Sequence, residues 1–217
     1  MSDARDDILS AIRAATGQRG GSAPPVEDHI LPARATGGAA ELRARFIEQA
    51  EVAGASIAVA SGPDDIAAAV TAYVAAMPGE SDVAIAPDDG LDAVRWDEAL
   101  SRFRVGAPTA SDRVTVTGAV TGIAETGTVL VRCGPSVANT AHLLGEAHIV
   151  VLPAGRIVGG YEQAWALLRA AAPEGALPRA ATFITGPSRT ADIEKTPQIG
   201  VHGPRRLHIV LVDGETS

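Results

Sequence analysis

The chain has 217 residues, of which 46% are hydrophobic and 20% charged, a globular balance that excludes wholesale disorder. Its formal net charge of -8 excludes a general binder of nucleic-acid backbone, which needs a basic face. No apolar run approaches the roughly 18–20 residues of a membrane span. Met1–Ser10 carries Asp3, Asp6 and Asp7 and no apolar h-region, so a cytoplasmic protein without a secretory signal is expected. The single cysteine, Cys133, excludes an internal disulfide and an iron–sulfur cluster held by this chain alone. Of 18 basic residues, only Lys195 is a lysine. Gly122 and Gly127 have phosphate-loop spacing, but no Lys follows them.

Residues 6–15 place Ile8, Leu9 and Ile12 on one helical face, a helix too short to stand without docking. Residues 17–38 are rich in Gly, Pro and Ala without a period and read as a linker or arm. The domain proper is expected over 39–217. Residues 39–53 put Leu42, Phe46, Ile47 and Ala50 on one stripe, predicting a helix. A short strand is expected at 56–60. Ser61 is placed to cap a second helix with Pro63 in its first turn, running through Ile66, Val70 and Met77 to Pro78 and Gly79. Residues 83–86 read as a strand and 88–101 as a broken helix around Leu91, Val94 and Leu100.

Further along, 147–152, 181–185 and 207–212 are apolar strands and 161–172 is a helix ending at Pro173. Short, nearly continuous apolar strands between amphipathic helices predict a buried parallel sheet with helices on both faces. Residues 113–121 and 128–132 are joined by about six residues, too few for a parallel crossover, so an antiparallel hairpin is expected there. The fold class is α/β, a mostly parallel sheet with one antiparallel insertion.

Ligands of open α/β sheets lie beyond the carboxyl ends of the strands. Three polar loops follow strand candidates and are expected there: 122–128, then 133–136, then 185–194 continued by 200–205. In the third, Gly186 and Pro187 shape a turn, and Ser188 and Thr190 offer hydroxyls. Arg189 offers a planar fork suited to a carboxylate or phosphate. With Asp192, His202 and Arg205 these residues form a candidate anion site. An ion-pair lattice of Arg189 and Arg205 with Asp192 and Glu194 is the alternative. In the first loop, Glu125 between Gly122 and Gly127 is a candidate nucleophile or base, with Thr126 and Gly127 beside it as ligand-binding candidates. His142, His148, His202 and His208 lack the spacing of metal ligands, so no metal is expected. His148 and His208 read as hydrogen-bonded structural residues within strands. Cys133 reads as a small buried thiol.

Ala124-Glu125-Thr126-Gly127-Thr128, the string from Ile184 to Glu194 with Gly186-Pro187-Ser188-Arg189-Thr190 at its heart, and Gly200-Val201-His202-Gly203-Pro204-Arg205 resemble the lactate-utilisation protein C group, the LUD domain. The resemblance implies a fold similar to the NagB, ribose-phosphate isomerase and CoA-transferase superfamily. It implies a role in oxidising L-lactate to pyruvate beside partner proteins carrying iron–sulfur clusters, with no cofactor on this chain. The superfamily analogy suggests an acyl- or CoA-transferring enzyme with Glu125 as nucleophile; a non-catalytic module binding a small anion is the remaining reading.

Overall fold

The apolar runs become strands in the computed structural model, which describes residues 3–16, 31–88, 90–92, 94–96, 102–134, 137–171, 177–191 and 197–214. The chain divides into two compact units, Met1–Ile30 and Leu31–Ser217. In the first, helix α1 spans Asp3–Thr16, with Arg13 in its last turn and Ile8 and Ile12 exposed. The linker residues 17–30 lie outside the described residues.

The second unit is built on six parallel strands in the order β1-β12-β7-β4-β2-β3. Their spans are β1 Ser56–Ala60, β2 Asp82–Ile85, β3 Phe103–Val105, β4 Asp112–Gly118, β7 Ala147–Pro153 and β12 Arg206–Val212. The central β7 and β12 are buried on both faces, which is why they read as unbroken apolar runs. Ile149, Val151 and Val210 point to the side where α3, Pro63–Ala75, packs with Ile66 and Val70. Val150, Leu152, Ile209 and Leu211 point the other way, onto Phe46 and Ala50 of α2, Ala39–Val52. Gly62, not Ser61, occupies the cap position of α3 without a side-chain bond; the Ser61 amide instead donates to the Asp65 carboxylate at 3.0 Å.

A second sheet, of order β8-β5-β6-β9, covers the α2 side. Its strands are β5 Thr121–Ile123, β6 Thr128–Arg132, β8 Ile157–Val158 and β9 Ala181–Ile184. Its far face packs Ile123 and Leu130 on Ala164 and Leu168 of α4, Tyr161–Ala170. The expected hairpin exists, but its first strand is the short β5 rather than the whole run of 113–121. Residues 112–118 belong to the parallel sheet, because the chain changes sheets within two residues. The Ala119 amide bonds Val151 in the large sheet, and the Val120 amide bonds Leu130 in the small one. The strand expected at 181–185 also lies in the small sheet, antiparallel to β6, not in the parallel one. Between 88 and 96 the described residues turn rather than form a helix, with Leu91 and Val94 buried; 97–101 lie outside the described residues. A two-stranded ribbon, β10 Arg189–Ala191 with β11 Pro197–Ile199, completes the unit. No helix among the described residues is long and apolar enough to cross a membrane.

Candidate functional site

The third loop sits at the opposite edge of the large sheet from the one expected. It follows β9, which runs in the small sheet, so its tip reaches the amino-terminal starts of β7 and β12. There a cavity of about 550 Å³ is bounded by His148 and Leu207, second residues of those strands, by Thr182 of β9, and by Gly186, Ser188, Arg189 and His202. Backbone bonds lace the loop shut. The Ser188 amide donates to Pro204 and the Gly200 amide to Ser188, each at 2.9 Å, which brings Ser188 and His202 to one rim.

Glycine is required at the turn for steric reasons. Gly186 has φ +68°, and a Cβ there would stand 2.2 Å from the Ala53 carbonyl oxygen at the end of α2. The same carbonyl accepts a bond from Arg189 Nη2 at 3.1 Å, so the guanidinium caps a helix end while lining the cavity, a favourable placement for a cation. Asp192 and Glu194, the carboxylates that a lattice with Arg189 would need, lie outside the described residues, as do Lys195 and, in the second loop, Pro135 and Ser136. Thr190 and Arg205 are not on the cavity wall. Arg205 packs across Gly200, where a Cβ would meet its Cγ at 2.0 Å, and its amide donates to the Glu146 carbonyl at 2.8 Å.

Glu125, Thr126 and Gly127 form the tip of the β5–β6 hairpin, outside the cavity wall. The nearly buried Glu125 carboxylate accepts from Arg34 Nε at 2.7 Å. Its own amide bonds Gly159. Residues 31–38 pack here through buried Ala35, whose carbonyl oxygen would lie 1.7 Å from a Cβ on Gly159. Gly127, at φ +64°, lets the tip lie on α2, where a Cβ would meet the Ala50 amide nitrogen at 2.1 Å. A hydroxyl chain ties the tip to the cavity: Thr126 to Thr128 at 2.7 Å, then Thr128 to Thr185 at 2.6 Å. Thr185 lines the cavity.

The buried wall was not among the binding candidates. His142 and His148 both line it, with ring centroids 5.6 Å apart. His148 Nε2 pairs with Thr117 Oγ1 at 2.8 Å. Burial pushes His148 down to about 3, helped by the neighbouring His142, and burial lowers His142 as well. Both rings are therefore neutral near pH 7. The one legible signal was a histidine inside an otherwise apolar strand. Among the described residues no group of three His, Cys, Asp or Glu could hold a metal ion. Cys133 is buried, and burial raises its thiol.

Fold and site thus define an α/β domain of two stacked sheets with a cavity that carries the Arg189 guanidinium, hydroxyls and the imidazoles of His142, His148 and His202. The family model described as the LUD domain matches residues 43–212, and the chain belongs to that family. A "Lactate utilization protein C" of Shouchella clausii is 33% identical over 118 residues, 54% of this chain and 51% of that protein. A protein of the same name from Bacillus subtilis is 30% identical over 127 residues, 58% of this chain and 52% of its own length. The chain therefore spans about half the length of the curated relatives it matches. A crystal structure of a DUF162-family protein from Deinococcus radiodurans superposes with a TM-score of 0.61 at 21% identity, covering 82% of this chain and 99% of that one. It is a likeness of fold.

Proposed function

We propose that this protein is a component of a lactate-utilisation system that binds a small carboxylate in the cavity beside Arg189. The observation that carries the reading is the convergence of Ser188, Arg189 and His202 on one wall of a 550 Å³ space. A planar guanidinium takes a carboxylate through two parallel bonds, and the loop hydroxyls and imidazole suit a neighbouring hydroxyl or carbonyl. The relatives' name, lactate utilization protein C, supports a small carboxylate as the ligand: lactate is one, and so is pyruvate, its oxidation product. Electron transfer then falls to partner proteins with iron–sulfur clusters, since one cysteine cannot hold a cluster. The protein works in the cytoplasm beside them. The acyl-transfer alternative needs a free Glu125 carboxylate open to substrate, whereas Arg34 holds it outside the cavity wall.

Calorimetry with L-lactate and with pyruvate tests the binding step. Saturable binding of either, weakened in Arg189→Ala, is the expected result; heats that never saturate with both would overturn the reading. Growth on lactate of a strain lacking the gene tests the pathway, and unimpaired growth would remove the protein from it.

A further inference from the structure

At the other edge of the large sheet lies a second cavity, of about 280 Å³. Three neighbouring parallel strands deliver its walls: Gly118 ends β4, Asp88 follows β2, and Arg156 follows β7. Arg132, the last residue of β6, joins from the small sheet, and Leu167 of α4 closes an apolar side. This is the carboxyl edge, where open parallel sheets take their ligands.

Asp88, Arg132 and Arg156 line this one cavity without forming an ion pair with one another. Asp88 Oδ1 accepts from the Gly90 amide at 3.1 Å. A Cβ on residue 118 would come within 2.9 Å of that same oxygen, so glycine at the end of β4 lets the carboxylate lie over the strand terminus. Seven arginines among the described residues are ion-paired to carboxylates. Arg132 and Arg156 have no such partner there. Two guanidiniums without a carboxylate partner among the described residues, at one small cavity in a chain of net charge -8, favour an anion there.

We propose that this cavity binds a small oxyanion bearing a neighbouring hydroxyl, in a site separate from the one beside Arg189. Arg132 and Arg156 take the oxyanion, and Asp88 accepts the hydroxyl hydrogen bond. The oxyanion has two sources, a hydroxy-carboxylate or the phosphate ester of a small polyol. Glycerate and glycerol 3-phosphate represent them, and propionate serves as the probe without a hydroxyl.

Titration of the full chain by calorimetry, with each probe up to about 10 mM, is the test. At least one hydroxylated probe should saturate, more tightly than propionate, and the one that does names the source. Arg132→Ala and Arg156→Ala should each weaken it on the order of tenfold, the effect of losing one charge-assisted contact. Asp88→Asn should reduce the preference for the hydroxylated probe over propionate. Arg189→Ala should leave its affinity unchanged. Both arginines are exposed, so their variants should fold, and an unchanged circular dichroism spectrum verifies that. No saturation by either hydroxylated probe, or binding indifferent to both arginine substitutions, would overturn the proposal. So would loss of binding in Arg189→Ala alone, which would place the probe in the other cavity.

Discussion

Arg189 has two jobs that one substitution separates. It donates to the Ala53 carbonyl at an exposed position and lines the larger cavity. Losing one exposed hydrogen bond costs about 0.5–1.5 kcal/mol, which for a domain of this size moves Tm by only about 1–6 °C. Arg189→Lys keeps the charge but loses the planar fork. Both variants should therefore bind lactate or pyruvate more weakly by similar factors while remaining folded, as read by calorimetry beside thermal melts. A drop in Tm with affinity intact would make the arginine a helix cap alone. Glu125 is tested by chemistry instead. Its carboxylate is already paired with Arg34, so Glu125→Asp should still support growth on lactate. Incubation with acyl-CoA thioesters followed by borohydride should leave the intact mass unchanged; a modification located at Glu125, absent in Glu125→Gln, would restore the acyl-transfer reading.

At the scale of elements, two candidate ligand-binding glycines are contacts between loops and α2. Gly127 and Gly186 both have positive φ and approach the backbone at the end of α2 more closely than any Cβ allows. Gly127→Ala and Gly186→Ala should each cost on the order of 2–4 kcal/mol in urea unfolding. Gly155→Ala, with nothing within 4 Å of the added atom, should stay within about 0.5 kcal/mol of wild type. The main strands were legible because β7 and β12, buried on both faces, are unbroken apolar runs, and α2 was legible because its apolar residues keep to one helical stripe. Sheet membership was not legible. The run at 181–184 is as apolar as a parallel strand should be, yet it pairs antiparallel with β6, because burial demands the same residues in either sheet. That misplacement carried the third loop to the wrong edge of the sheet. The loop's chemistry, Gly186 through Arg189, was legible as turn plus anion-binding groups. The wall opposite was not, since Thr182 comes from a segment distant from His142 and His148 and joins them only by non-local packing. The three-residue β3, β10 and β11 are too short to show any period.

For the whole molecule, the buried histidines govern stability on the acid side. His148 lies between the sheets against Thr117, and His208 stacks on Tyr73 with centroids 4.1 Å apart while pairing with Ser56 at 2.8 Å. Burial lowers His148 from 6.5 to about 3 and His208 from 6.5 to about 4. A lowered imidazole means that the unfolded chain binds more protons than the folded one between those values, so unfolding free energy rises with pH across that window. The contribution of each ring is fully present above about pH 6.5 and is lost as pH falls toward the folded value. Between pH 7 and pH 5 each should remove about 2 kcal/mol. The carboxylates act lower down. Glu146 is held below the usual range, first by its bond from Arg113; at Asp112, burial opposes the bonds from Thr109 and Arg104, which prevail. Their share is present above the ordinary carboxylate range and disappears only below about pH 4. A urea midpoint that falls steeply from pH 7 to pH 5, before Glu146 and Asp112 protonate, is therefore expected. His208→Gln should lower stability at pH 7 yet make the slope between pH 7 and pH 5 shallower by one proton's worth. A midpoint flat across that interval in wild type would show that neither imidazole is held neutral by the fold.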